Sequence, residues 1–274
     1  MQNNRMTDVP PKSNLFERFV PILVLLSVAL AFMVGVLWQK VSSLEKGGTT
    51  ATTTTAAAGA AAPSATIDIE TIKGLWDKDI IKFGDKNSKL LFVEVADPSC
   101  PYCHVAGGDD PEIAASVGSQ FKYVSDGGTY VPPVTEMKKL VDAGKASFAY
   151  LYFPGHANGE MAMKALYCAN EKGKFWDAHQ LIMSNEGYTL QNTTVKNDKT
   201  KSQTVADFLK SVIDPEFMKS CLDSGKYDSR LTEEQNLSAT LAVSGTPGFF
   251  VNSQRFDGAY SFTDMKSAVD AASK

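Results

Sequence analysis

Two cysteines with two residues between them, Cys100-Pro101-Tyr102-Cys103, carry the chemistry most readily read from this chain. Thiols at this spacing close a small disulfide ring. If Cys100 starts a helix, the positive end of the helix dipole and the free backbone N–H groups favour its thiolate. Such a thiolate attacks and leaves readily near neutral pH, which is the requirement for thiol–disulfide exchange. Cys103, one turn further on, is then the deeper sulfur that resolves a mixed disulfide. Pro101 suits the first turn of a helix, where its missing N–H is not needed.

Other chemistries compete for the same residues. Half of a zinc site needs two more ligands, and Cys168 and Cys221 stand alone in sequence. With His104 the motif also fits the C-x-x-C-H pattern of a c-type haem attachment. A plain structural disulfide is a third reading. Around the pair, His104 either turns its ring back towards Cys100 or is an ordinary helix residue. Asp97 and Tyr102 read as local tuning elements, and His156 and His179 as structural. Asp109, Asp110 and Glu112 are expected to be solvated, with no metal bound. Glu94 lies six residues before Cys100 on an otherwise apolar segment. It is either buried, with a raised pKa, or solvated at an edge.

Four segments read as strands. Leu90–Ala96 is an apolar run between Asn87-Ser88-Lys89 and Asp97-Pro98, and it delivers the chain directly to the cysteines. Ser147–Phe153 is stopped by Pro154-Gly155, Phe249–Asn252 follows Gly245-Thr246-Pro247-Gly248, and Gln254–Asp257 is stopped by Gly258. Helices are predicted over Asn158–Gly173, Phe175–Met183, Thr204–Ile213, Pro215–Leu222, Ser229–Val243 and Phe262–Ala272, the last with Ser261 as its N-cap. The order is strand, helix, strand, helical insertion (about 155–243), two strands and a helix, which makes an α/β fold. The stretch 107–133 contains Gly107-Gly108, Pro111 and Pro132-Pro133 and predicts an interrupted helix and an insertion or remodelled loop beside the cysteines.

These motifs carry a resemblance. From roughly Gly84 to Ser273 the chain resembles the DsbA-type, thioredoxin-fold oxidoreductases of bacterial envelopes. The features are Glu94–Cys103 at a strand end, Tyr152-Phe153-Pro154, the helical segment with Ala165–Ala169 and Gly173–His179, and Val243–Asn252 with its Gly-Thr-Pro-Gly-Phe-Phe-Val-Asn core. The resemblance implies a thioredoxin-like fold with an inserted helical subdomain and no cofactor beyond the redox disulfide. It implies that Pro247 is cis, placing the Thr246 backbone beside the Cys100 sulfur, and that Glu94 assists proton movement at Cys103. It further implies a second, non-catalytic disulfide between Cys168 and Cys221. The break after His104 departs from the family, whose members continue there with a regular helix.

Residues Phe19–Trp38 form twenty apolar positions interrupted by one hydroxyl, Ser27, and no charge. A helix of that length spans about 30 Å, the thickness of a bilayer core, and no Ala-x-Ala follows closely, so an uncleaved transmembrane anchor is expected rather than a signal peptide. Arg5, Lys12 and Arg18 before the span, against Lys40 and Lys46 after it, favour a cytoplasmic 1–18. Residues 39–66, low in complexity beyond Gly47, read as a tether, and 67–274 as the catalytic domain. Disulfide chemistry places that domain on the oxidising side of the membrane. Net charge is −4 with no basic run, which excludes a nucleic-acid surface.

The expectation is a single-pass membrane protein that passes the Cys100–Cys103 disulfide to cysteine-containing proteins, and, by family resemblance, a membrane reoxidant of DsbB or VKOR type. A reductase or isomerase of the same fold is one rival. A binding or chaperone module with a structural disulfide is another, and it predicts full cellular activity in Cys100→Ser.

Overall fold

The computed structural model describes residues 64–274. The predicted anchor Phe19–Trp38, the cytoplasmic segment and nearly all of the tether lie outside the described residues. No helix among the described residues is long and apolar enough to cross a membrane.

One six-stranded sheet organises the domain. Its strands are β1 (Ser64–Thr66), β2 (Ile81–Phe83), β3 (Leu91–Ala96), β4 (Ser147–Tyr152), β5 (Gly248–Val251) and β6 (Gln254–Asp257), in spatial order β1-β6-β5-β3-β4-β2. β3 runs parallel to β4 and antiparallel to β5. The helices are α1 (Ile69–Gly74), α2 (Pro101–Gly107), α3 (Pro111–Val117), α4 (Pro133–Asp142), α5 (Glu160–Glu171), α6 (Phe175–Ile182), α7 (Asn185–Thr189), α8 (Ser202–Phe208), α9 (Pro215–Asp223), α10 (Asp228–Thr240) and α11 (Phe262–Ala272). Helices α5 to α10 all fall between β4 and β5, which is the inserted subdomain.

The central strand explains its own sequence. β3 is buried at every position, so both faces must be apolar. Leu91, Val93 and Val95 join Ile72, Leu75, Trp76, Leu241 and Phe250 in one core layer. Phe92 and Ala96 face the other way, into the layer that holds Cys100, Cys103 and most of α5 and α6. Glu94 shares that second face by alternation. It is the carboxylate in an otherwise apolar wall.

The predicted break after His104 is present and has two causes. Gly108 takes a left-handed conformation (φ 90°) and donates to His104 O at 3.2 Å, ending α2. Pro111 then opens α3, with Asp110 accepting from Ile113 N at 2.9 Å as the cap. The remainder of 107–133 packs Tyr123, Tyr130 and Phe121 onto Val105 and Ala114 as a small separate core. Ser261 occupies the N-cap position of α11 as predicted, but its hydroxyl accepts from Val131 N (3.0 Å) and pairs with Thr263 Oγ1 (2.8 Å) instead of bonding the helix N–H groups. The helix expected over Thr204–Ile213 is shorter and earlier, as α8.

Candidate functional site

Strand directions bring three loops to one end of the sheet. β3 and β4 are parallel, so the loops leaving them, Asp97–Cys100 and Phe153–Gly159, emerge side by side. β5 runs the other way and begins at that end, with Gly248 paired to Val95. The loop before it, Gly245–Pro247, therefore arrives beside the cysteines. The Thr246–Pro247 peptide bond is cis, and the Cys100 thiol donates to Thr246 O at 3.3 Å.

Asp97 binds these loops together. Its carboxylate accepts from Ser99 N (2.8 Å) and Ser99 Oγ (2.7 Å) on one oxygen, and from His156 N (2.6 Å) on the other. Asn158 N donates to Ser99 Oγ at 3.2 Å, and Asn192 Nδ2 to Ser99 O at 3.1 Å. Close approach here requires glycine at two positions: a Cβ on Gly159 would lie 1.9 Å from Asp97 Oδ1, and one on Gly155 2.2 Å from Thr246 Oγ1. The sequence indicated a tuning residue at Asp97 but not this knot. The Asp97-Pro98-Ser99 turn pattern is the signal that could have revealed it.

Cys100 occupies the N-cap position of α2, with Pro101 at the first helical position. Both Cys100 and Cys103 are free thiols with no exposed surface, so burial does not distinguish them as the sequence suggests. Their acidities do. A hydrogen bond from the Cys103 side chain holds Cys100 down to about 6, against the opposing effect of burial. The Thr246 side chain, the Cys103 backbone N–H and the charge of His156 act in the same direction. The Thr246 hydroxyl is buried without another partner, and it is placed to donate once the sulfur ionises. Cys103 is pushed well above the usual thiol range by burial, and further by Cys100 and Glu94.

Glu94 is 1% exposed, and neither carboxyl oxygen has a hydrogen-bond partner. Burial raises its pKa to about 8, so the acid is neutral at physiological pH. It stands between Tyr150 on β4 and Phe249 on β5. The solvated alternative is thereby overturned.

His104 matches neither expectation. Its ring turns away from Cys100: Nε2 lies 2.8 Å from Pro98 O and Nδ1 3.3 Å from Asp110 Oδ2. That engagement, with complete burial, removes it as a haem ligand. His179 is buried and held down to about 3 by its apolar surroundings, whereas His156 is exposed at the redox loop and is an electrostatic neighbour of Cys100 rather than the structural residue that the sequence predicts. Tyr102 is 39% exposed and sits edge-on to Phe121 at 5.6 Å, making it the accessible face of the motif. Cys168 and Cys221 are joined in a disulfide between α5 and α9, so neither is available to a zinc ion with Cys100 and Cys103. Asp109, Asp110 and Glu112 do not cluster: the first accepts from Gln180, the second caps α3, and the third accepts from Asn185.

A family model described as thioredoxin matches residues 134–271, a span that contains the cis-proline loop and the helical insertion. The chain belongs to the thioredoxin family. The redox cysteines precede the matched span, and their place at the end of β3 completes a DsbA-like arrangement. The fold is similar to that of oxidised BdbD from Bacillus subtilis, at 18% identity, covering 77% of this chain and 98% of that one, with a TM-score of 0.51. It is also similar to the thiol-disulfide exchange protein alpha-DsbA2 of Wolbachia pipientis, at 19% identity, 74% and 92% coverage and a TM-score of 0.52. A Rickettsia prowazekii protein assigned as a protein-disulfide oxidoreductase is 26% identical over 197 residues, 72% of this chain and 62% of that protein. The Na(+)/H(+) antiporter NhaA 3 of Salinispora tropica is 24% identical over 200 residues, 72% of this chain but only 25% of the antiporter. The chain thus spans less than two thirds of these curated relatives.

Proposed function

We propose that this DsbA-like oxidoreductase is an oxidase that donates the Cys100–Cys103 disulfide to cysteine pairs in proteins outside the cytoplasm. The observation that carries the reading is the split between the two sulfurs, with Cys100 held down to about 6 and Cys103 pushed up. A stabilised Cys100 thiolate favours the reduced enzyme, and so makes its disulfide a stronger oxidant.

In the proposed reaction a substrate thiolate attacks Cys100 Sγ of the disulfide form. The Cys100–Cys103 bond breaks and Cys103 leaves with the electron pair. Cys103 then takes a proton, for which the neutral Glu94 acid on the same core face is the supply. The second substrate thiolate attacks its own partner's sulfur in the mixed disulfide, and Cys100 departs as the thiolate favoured by Thr246 and the α2 N-terminus. The substrate loses two electrons and the enzyme gains them. The two sulfurs suffice for this exchange without a cofactor.

Returning the enzyme to its disulfide form requires an electron acceptor, for which a quinone-linked membrane oxidoreductase of the DsbB or VKOR kind is the proposed partner. The apolar run Phe19–Trp38 supports a single-pass anchor in the cell membrane with the catalytic domain outside. The Cys168–Cys221 bridge supports an oxidising compartment.

The test is the equilibrium reduction potential of the full-length chain against glutathione, read on a thiol-trapping gel. A value of about −120 to −200 mV supports the oxidase, whereas a value near or below about −270 mV makes a reductase the better reading.

A further inference from the structure

The imidazole of His104 is fully buried between two acceptors. Pro98 O, a carbonyl, can only accept, so Nε2, at 2.8 Å from it, carries a hydrogen. Nδ1 then presents a bare lone pair to Asp110 Oδ2 at 3.3 Å, and an ionised carboxylate presents another. Neither of these two atoms has any other partner, and both residues have no exposed surface. Two facing lone pairs in a dry site repel, and each would be an unsatisfied buried acceptor. One proton between them satisfies both and leaves the pair with no net charge.

We propose that His104 and Asp110 share one buried proton and that this pair is the clasp that positions the Cys100 loop against the 107–133 insertion. This rests on the oxidoreductase reading, in which the placement of Cys100 at the α2 N-terminus matters. Side chains on a helix lean towards its N-terminus, so His104, in the first turns of α2, reaches back to Pro98, two residues before Cys100. Asp110 belongs to the far side: its other oxygen caps α3. The Tyr123 hydroxyl lies 3.2–3.4 Å from the carbonyl oxygens of His104, Val105 and Asp110 and ties the insertion to the end of α2. The remaining groups around the ring are the edge of Tyr188 at 5.0 Å, Asp109, which accepts from Gln180, and the neutral His179 beneath Gly107. None of these is placed to supply the missing proton to Nδ1. Loosening the clasp frees Pro98 and with it the N-cap geometry of Cys100, so His104 acts through that loop as a positioning residue.

Histidine-selective 15N NMR of the full-length, reduced chain at neutral pH reads the shared proton. The expected spectrum shows a hydrogen at both His104 nitrogens in the wild type and at Nε2 alone in Asp110→Asn. A bare Nδ1 in the wild type overturns the proposal. The positioning role is read from the 240 nm absorbance of the Cys100 thiolate. Its titration midpoint is expected to move to higher pH, to a proton concentration at least threefold lower, in His104→Leu. His104→Gln, which restores a donor to Pro98 O, should bring it part-way back. A folded His104→Leu protein with the wild-type midpoint sinks the positioning role, since a merely structural residue lowers stability without moving that curve. If His104→Leu does not fold, His104→Phe, which keeps a ring but no donor to Pro98 O, carries the same comparison. Wild-type protein that fails to exchange with glutathione yet shows both hydrogens defeats the oxidase reading and leaves the shared proton standing.

Discussion

The sulfur of Cys100 lies 3.3 Å from the carbonyl oxygen of Thr246, the residue before the cis proline. While Cys100 is a thiol it donates to that carbonyl. Once it ionises, the same residue offers its otherwise unpartnered hydroxyl. The site therefore accommodates both protonation states of one sulfur, and the reactive form is populated at neutral pH. Alkylation of the reduced protein by iodoacetamide should modify Cys100 first, with a rate that rises through a midpoint near pH 6. Mass spectrometry of peptides quenched across pH 4–10 measures it. A midpoint at the ordinary thiol value, about 8.5, would remove the basis for calling Cys100 the nucleophile.

Glu94 gives a prediction whose sign is set by its raised pKa. The folded state holds the proton to about pH 8 and the unfolded chain releases it near the ordinary value of 4.5. The native form is therefore unpenalised below about pH 4.5. It loses stability as pH climbs towards 8, because only the unfolded chain ionises freely. Glu94→Gln abolishes that loss. The variant should match the wild type in urea unfolding at pH 4 and exceed it by about 4 kcal/mol at pH 7.5. Its oxidation of a dithiol peptide should be about tenfold slower, since the proton source for Cys103 is gone. Equal stability curves at both pH values would mean that Glu94 is ionised in the fold.

Much of this site is legible in the sequence because its parts are contiguous. Leu90–Cys103 spells a strand that ends on a redox motif, and Gly245–Asn252 spells a loop feeding a strand. Alternation along β3 even identifies Glu94 as facing either core or solvent. What the sequence withholds is what strands, by their directions, bring together. Asp97 meets His156 only because β3 and β4 are parallel, and His104 meets Asp110 only because Gly108 reverses the chain after α2. β1 and β2 escape sequence reading because each is three residues long, too short for a period to show. α4 hides behind Pro132-Pro133, which reads as a loop although Pro133 opens the helix.

Asp97 should matter more than its distance from the sulfur chemistry suggests. Asp97→Ala strands the Ser99 and His156 backbone donors and releases the β4–α5 loop from the cysteine loop. The Ser99 N–H is buried and the His156 N–H partly so; a buried donor left without a partner costs about 1–3 kcal/mol, so a fall of about 2 kcal/mol in thermal or urea stability is expected. Asp97→Asn keeps one acceptor oxygen and should recover part of it. Proteolysis between Pro154 and Gly159 should accelerate in Asp97→Ala. An unchanged cleavage pattern would show that the three loops do not depend on this carboxylate.

The Cys168–Cys221 bridge ties α5 to α9 across 53 residues of the helical insertion. Closing a loop of that length removes unfolded-state entropy worth about 4 kcal/mol in the chain-entropy account, with measured values commonly at about 2–4. Replacing both cysteines by alanine should therefore lower stability by that amount. Although Cys168 lies in the same core layer as Cys100 and Cys103, the effect is expected to stay in stability: the pH midpoint of Cys100 alkylation should not move, since none of the groups that hold its acidity, Cys103, Thr246 and His156, belongs to α5 or α9. Parallel urea titrations and alkylation profiles of the wild type and the double variant decide this. A shifted midpoint in a stably folded double variant would show that the bridge reaches the redox pair through the core, and that the insertion tunes catalysis as well as holding itself together.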